Sequence, residues 1–410
     1  MNETKVDVWT GAESSVSGPM REVEIQPDTV IETCPVEIKK WDDFNLRDDL
    51  LRGIYNYGFE VPSEIQKKSI LPLISLKDII AQAQSGSGKT GSFTIGILQN
   101  IDESLNTTQA LLVAPTHELA KQIAFVFESL GTFIKGLRIK LLVGGTSVSE
   151  DIQSLKDNVP HVIIGCPGRV YDMIRRNHVV TKTIKTFCMD EADELLSGFK
   201  DQIYNIFQSL DGDVQVALFS ATMPEEIVKL SDKFMRSPIR IMMPPEKLNL
   251  ECIHQTYIAV MNDSEKYDVI RNIFTALTIS QCIIYANSVN RVIDLHRSMV
   301  QDGFSVSCIH SNMSKQERDE IFKEFRKGSC RMLISSNITA RGIDVQQVGT
   351  VINFDIPNCV HTYLHRIGRS GRWGRKGLAI NFVTRRDLPM MKTIERHYNS
   401  SIVEFTIPNT

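Results

Sequence analysis

The stretch Asp78 to Thr90, DIIAQAQSGSGKT, decides how the rest of the chain is read. Its first half is a short apolar run closed by polar residues, the pattern of a buried strand. Its second half, Ala83 to Thr90, fits the phosphate-binding loop pattern with Ala in place of the first Gly. Gly86 and Gly88, on either side of Ser87, let backbone N–H groups turn toward phosphate oxygens. Lys89 reaches the outer phosphates, and the Thr90 hydroxyl can ligate Mg²⁺. The plain alternative is a Gly-Ser turn that caps a helix. A strand before the loop and a helical pattern after it favour the phosphate reading.

Outward from that loop, short apolar runs alternate with helical patterns: ALLVAP (110–115), KLLVG (140–144), HVIIGC (161–166), FCMDE (187–191), VALFSA (216–221) and IRIMM (239–243). PPEKLNLE, 244–251, interrupts the rhythm and reads as a linker. It resumes with CIIYAN (282–287), VSCIH (306–310), RMLISS (331–336), TVINFD (350–355) and LAINFV (378–383). Strands alternating with helices predict an α/β architecture, a mainly parallel sheet with helices on both faces. At 410 residues the chain is too long for one ordinary core, so two domains of similar size are expected, at 39–243 and 252–410. Residues 1–38 are polar, lack sustained periodicity and read as a mobile tail.

Composition removes several classes of function. No apolar run is long enough to span a bilayer, and the start MNETKVDVWTGAESS lacks a basic-then-apolar signal pattern, so an intracellular protein without membrane contact is expected. The eight cysteines stand singly, which indicates neither a zinc site nor a disulfide framework. With 46 basic against 49 acidic residues, any grip on nucleic acid must come from a local groove.

A second stretch, CMDEADELLSGF (188–199), crowds Asp190, Glu191 and Asp193 into four positions. Acidic residues at a helix start can simply complement the helix dipole. A phosphate-binding loop, however, needs an acidic residue at the end of a neighbouring strand to complete its metal site, and Asp190 ends such a strand. Glu191 can then orient or deprotonate the attacking water, and Asp193 can tie the site to whatever moves. In HRIGRSGRWGRKG (365–377), Arg366, Arg369 and Arg372 occupy one short stretch. Arg369 and Arg372, three apart, would share a helix face. The plain reading is a solvated basic surface; the functional one is stabilisation of charge on a transferring phosphoryl group.

With these residues quoted, the sequence resembles the DEAD-box RNA helicases, and within them the translation initiation factor 4A subfamily, from about Trp41 to the C-terminus. The resemblance implies two tandem RecA-like domains joined by a flexible linker and open when empty, with ATP and Mg²⁺ as cofactors. In GFEVPSEIQ (58–66) it implies that Gln66 contacts the adenine edge, with Trp41 as the upstream aromatic that stacks on the base. Ser220 to Thr222 (SAT) would couple hydrolysis to strand separation through Ser220, Thr222 and Asp193. Asp344, in ARGID (340–344), and His365, Arg369 and Arg372 would supply the second-domain half of the ATP site. RNA contacts map onto Pro115, Thr116 and His117, onto Gly145 of the GG pair, onto Pro167, Gly168 and Arg169, and onto Asn287 and Gly342.

The chain departs from the family pattern at His117 (usually Arg), Cys166 (Thr), Asn337 (Asp), Ser311 and Asn312 (Gly and Asp) and Lys315 (Gln), and LLSGF is one residue short. These positions lie mostly on the RNA side or between the domains, while the phosphate residues are intact. His117 replaces a permanent charge by one that titrates at about pH 6.5 in model peptides; its plain alternative is a neutral, packed imidazole. The expected function is ATP hydrolysis coupled to local unwinding of single-stranded or short-duplex RNA in translation initiation. The alternative is an ATP-gated RNA clamp or scaffold. A monomer in the cytoplasm, or alternatively the nucleus, with a scaffold partner of the initiation-factor 4G type completes the expectation.

Overall fold

The structure, a computed structural model, describes residues 38–84, 86–231, 233–242, 253–276, 281–337, 348–370 and 376–405. The expected linker and all but Ile38 of the expected tail fall outside them. The first seven strands are β1 (Ile79–Gln82), β2 (Ala110–Val113), β3 (Ile139–Leu142), β4 (Val162–Gly165), β5 (Thr186–Asp190), β6 (Gln215–Ser220) and β7 (Ile239–Met242). The next seven are β8 (Ile253–Ala259), β9 (Cys282–Tyr285), β10 (Val306–Ile309), β11 (Met332–Ser335), β12 (Thr350–Asn353), β13 (Gly377–Val383) and β14 (Val403–Glu404). They form two seven-stranded sheets, ordered β3-β4-β2-β5-β6-β1-β7 and β10-β11-β9-β12-β13-β8-β14. Shifting the first order by seven strands yields the second, so the chain builds the same topology twice.

Neighbouring strands pair in parallel in both sheets. Side chains therefore alternate between two covered faces, which is why the central strands read as unbroken apolar runs. Ile79, Ala81, Leu112 and Phe219 enter one core of the first sheet, and Ile80, Leu111, Val113 and Leu218 the opposite one. In the second sheet Ile283, Leu333 and Val351 divide likewise from Ile284, Ile334 and Ile352. Each such Val, Leu, Ile or Phe, fully buried, contributes about 1.5–3 kcal/mol, against about 0–1 kcal/mol for an exposed ion pair, so these faces hold the fold.

β8 and β14 lie outside the expected runs. β8, IHQTYIA, mixes polar and apolar residues because it stands next to the sheet edge and buries only part of its surface. Among the described residues no helix is long and apolar enough to cross a membrane.

Because every pairing is parallel, the loops that follow the strands share one edge of each sheet, where open α/β sheets gather their ligand sites. The strand order sorts the expected segments along that edge of the first sheet. The loops after β5, β6 and β1 carry the acidic cluster, SAT and the phosphate loop. Those after β3, β4 and β2 carry GG, Pro167–Arg169 and Pro115–His117.

Candidate active site

The loop between β1 and the helix Lys89–Gln99 turns at Gly86 (φ 83°) and Gly88 (φ 103°), left-handed backbone that favours glycine. A Cβ at Gly88 would approach Gln66 Nε2 and Ser63 Oγ to 2.9 Å. Lys89 is buried and donates to the Ala83 carbonyl at 2.5 Å. Burial lowers its pKa, while Glu191, Asp190 and Asp193 raise it and Arg369 lowers it further. The lysine, the three carboxylates and an arginine from the second unit thus act on one another.

Asp190 closes β5 and turns its carboxylate back to accept from the Glu191 N–H at 3.0 Å. Burial, then the neighbouring Glu191, push its pKa up to about 7, against the opposing pull of Lys89. Glu191 holds φ 52° and ψ 53°, a left-handed conformation that costs a non-glycine residue about 1–2 kcal/mol. Its Oε2 is buried and finds no hydrogen-bond donor among the described residues. Asp193 accepts from Ser220 Oγ at 2.7 Å and from Thr222 Oγ1 at 2.8 Å, which ties the loop after β6 to the acidic cluster.

The second unit completes the cluster. The helix Val360–Ile367, entered shortly after β12, carries His365, whose Nε2 lies 3.7 Å from Asp193 Oδ2 with the side chain fully buried. Arg369, buried at the end of that helix, donates from Nε to the His365 carbonyl at 3.1 Å. Arg372, Asp344 and Gly342 lie outside the described residues.

Trp41, the aromatic expected to stack on the base, is packed inside the first unit. Its ring is 0% exposed, so no face is open to a base. It stacks on Phe59, with centroids 6.0 Å apart and planes 19° from parallel. Phe59 is half-buried, and its ring lies 3.0 Å from where a Cβ on Gly91 would stand. Phe59 is therefore the aromatic against the first turn of the helix that follows the loop, and Trp41 backs it. Gln66 lies next to Gly88, with its amide oxygen accepting from the Ser63 N–H at 2.7 Å.

On the opposite half of the edge, Thr116 caps the helix His117–Leu130 by accepting from the Leu119 N–H at 3.2 Å. His117, half-buried, lies over Gly144, with Nε2 3.3 Å from where a Cβ there would stand. Gly145 adopts φ 74°, Pro167 opens the helix Pro167–Arg175, and Gly168 beside it is exposed. Arg169 is not an open charge. It ion-pairs with Asp151 and donates to the Thr146 carbonyl at 2.9 Å, so it shapes the GG loop. Asn287 is engaged at both ends of its amide, donating to the Ile356 carbonyl at 2.8 Å and accepting from Arg366 at 2.7 Å.

Sequence reasoning did not anticipate the ion pairs that join the units, Glu118–Arg318 at 3.3 Å and Lys121–Asp319 at 2.5 Å. It also passed over Asp355, just beyond β12, which pairs with Lys266 at 3.0 Å and Arg291 at 2.6 Å. The signal was available: TVINFD ends in Asp at the place in the second sheet that FCMDE occupies in the first.

The family model for DEAD/DEAH box helicases matches residues 63–230, and that for the helicase conserved C-terminal domain matches 265–374. The chain is 50% identical over 368 residues to eukaryotic initiation factor 4A of Caenorhabditis elegans, covering 90% of this chain and 91% of that one. It is 47% identical to the ATP-dependent RNA helicase eIF4A of Scheffersomyces stipitis, covering 93% and 96%. Among solved structures it matches S. cerevisiae Dbp5 bound to RNA and ADP BeF3, with TM-score 0.83, 33% identity and coverage of 89% and 95%. With two RecA-like sheets, a phosphate loop facing an acidic cluster and these relatives, the chain belongs to the DEAD-box family of ATP-dependent RNA helicases, in its eIF4A-like branch.

Proposed function

We propose that the chain hydrolyses ATP to ADP and phosphate when its two units, residues 39–243 and 252–410, close on single-stranded RNA, and that closure separates short duplexes locally during translation initiation. The observation that carries this reading is the meeting of His365 and Arg369 from the second unit with Lys89, Glu191 and Asp193 of the first. A site assembled from both halves works only when the halves are together, which couples turnover to whatever favours closure.

The residues present fit a magnesium nucleotide. Gly86 and Gly88 would offer backbone N–H groups, the Ser87 N–H being donated to the Gln84 carbonyl at 3.2 Å until a phosphate displaces it, and the space a Cβ would fill at Gly88 is bounded by Gln66. Thr90 and Asp190 would hold Mg²⁺, and the raised pKa of Asp190 reflects buried negative charge that a cation relieves. Bound there, Mg²⁺ neutralises charge on the outer phosphate oxygens. Lys89 and Arg369 bring two further positive charges to the same phosphates. Glu191 Oε2, buried and without a donor among the described residues, would orient a water and accept its proton as the water oxygen bonds to phosphorus and the bond to the ADP oxygen breaks. Asp193 keeps its bonds to Ser220 and Thr222, so a shift of the acidic loop moves the segment after β6. Phe59 and Gln66 would receive the base.

RNA would lie along the loops after β2, β3 and β4, held by its sugar-phosphate backbone with little base reading. Opening after hydrolysis would release it. A monomer working in the cytoplasm with a scaffold partner is part of the same reading. A clamp that stays on RNA with little unwinding is the second reading, favoured by the ion pairs Glu118–Arg318 and Lys121–Asp319, both of which hold the closed form.

The deciding measurement is steady-state phosphate release with RNA, with DNA and with neither. Stimulation by RNA alone is expected, and equal stimulation by DNA would overturn the proposal. Duplex separation measured alongside dissociation from single-stranded RNA in a slowly hydrolysed ATP analogue distinguishes helicase from clamp.

A further inference from the structure

Where the two units touch, three buried side chains of metal-binding type converge: Glu191, Asp193 and His365, whose ligand atoms all lie within 4.8 Å of one another. His365 is fully buried, and neither of its ring nitrogens has a hydrogen-bond partner among the described residues. Glu191 Oε2 is in the same position. Polar atoms so placed cost about 1–3 kcal/mol each unless something binds them. Asp193, by contrast, is held in one orientation by Ser220 and Thr222.

The geometry is close to that of a metal centre. An ion with bonds of about 2.0–2.2 Å in tetrahedral geometry spaces its ligand atoms about 3.3 Å apart. His365 Nε2 and Asp193 Oδ2 are already 3.7 Å apart. Glu191 has only to swing its flexible carboxylate inward. The donor set, one imidazole nitrogen and two carboxylate oxygens, suits Zn²⁺ and its neighbours, whereas Mg²⁺ and Ca²⁺ take oxygen alone. Among the described residues, three carboxylates, Asp190 included, face the cations Lys89 and Arg369 there.

We propose that Glu191, Asp193 and His365 form a second cation site, separate from the Thr90–Asp190 position, which takes a Zn²⁺-class ion, fastens the two units together and stops turnover. Ligation removes the Glu191 carboxylate from proton transfer. It also ties the helix Val360–Ile367 to the end of β5, so the units cannot part. The inhibition rests on the function proposed above; the binding does not, and the two are tested separately.

Co²⁺ serves as the probe, titrated into the full-length, metal-free chain without Mg²⁺, nucleotide or RNA, and followed by visible absorption. One ion should bind with d–d bands of nitrogen and oxygen ligation and no thiolate charge-transfer band, and Zn²⁺ should displace it. His365→Gln and Glu191→Gln should each weaken that binding more than about tenfold. Two variants are used because either alone could perturb the buried cluster. If wild type shows no such spectrum, or both variants bind like wild type, the site does not exist. In the second arm, Zn²⁺ at concentrations that fill the site, with Mg²⁺ in excess, should abolish RNA-stimulated phosphate release and shorten the distance between fluorophores on the two units. If Co²⁺ binds as expected while Zn²⁺ leaves turnover and distance unchanged, the fastening role is wrong. Absence of RNA-stimulated turnover without Zn²⁺ would count against the proposed function instead.

Discussion

Arg366 has 0% exposure, yet every oxygen it donates to is neutral. Its Nε and Nη2 reach Asn337 Oδ1 at 2.9 and 2.6 Å, and the remaining bonds go to Asn353 Oδ1, the Asp355 carbonyl and Asn287 Oδ1. Burial lowers its pKa to about 10, with Tyr285 and Asp355 opposing. A base whose folded pKa is depressed is destabilised as a cation at every pH below that value. Relative to an ordinary arginine the cost is on the order of 3 kcal/mol, constant through the physiological range. The family pattern has Asp at position 337, so Asn337→Asp should return the missing partner. Two of the five hydrogen bonds become charge-assisted, each gaining about 1 kcal/mol, and Asn337 is exposed enough for the new carboxylate to lose little hydration. A net gain of about 1–2 kcal/mol is expected, raising the melting temperature of the second unit by roughly 2–8 °C. The sign with pH follows. The new carboxylate has a folded pKa below the unfolded value of about 3.9, so its contribution is complete above about pH 5 and disappears as pH falls through the folded pKa. Thermal unfolding of both proteins across that range is the assay. A lower melting temperature at pH 7, or a gain that survives at pH 2, would refute the reasoning.

Glu191→Gln keeps the shape and loses the base, so phosphate release should fall by about 10²–10⁴ while ATP and RNA still bind; wild-type turnover removes Glu191 from proton transfer. Phe59→Ala should weaken nucleotide binding by about 1–3 kcal/mol, the range of base–aromatic stacking, and Trp41→Phe much less. Titration with a fluorescent ATP analogue checks both, and a larger loss for Trp41→Phe would reverse the assignment. His117→Arg places a permanent charge over Gly144. RNA affinity should rise at pH 8, with a steeper salt dependence of up to about one phosphate contact, and approach wild type at pH 6. Parallel curves for the two proteins over that range would take His117 away from the RNA.

The sheets and the phosphate half of the site were legible because they follow local rules. Strands buried on both faces are continuous apolar runs, and a glycine loop with its lysine is contiguous in sequence. β8 escaped because a strand beside an edge loses the apolar signature. The packing of Trp41 and Arg169 was not legible, because residue type says nothing of which side chain is in front. The tryptophan stands behind Phe59, and the arginine is taken up by Asp151 and Thr146. Arg366 looked like a member of an arginine row and proves to be a buried tie among strand ends. Glu118–Arg318 and Lys121–Asp319 bridge sequence separations of about 200 residues, which no local pattern reports.

The repeated strand order has a further consequence. At the same corner of the two sheets, Asp190 and Asp355 meet opposite fates: the first is crowded by other carboxylates, the second is matched by Lys266 and Arg291. Asp355 keeps a pKa below its ordinary value, although burial works against this, because Arg291, the Asn287 N–H and Lys266 favour its charge. One copy of the architecture is therefore electrically finished during folding, and the other is left with a debt of positive charge. At that corner the second unit needs no ligand to balance its buried carboxylate. If Asp190 takes Mg²⁺ as proposed, the first unit should gain more thermal stability from magnesium nucleotide than the second, and removing either should loosen the rim of the first sheet first.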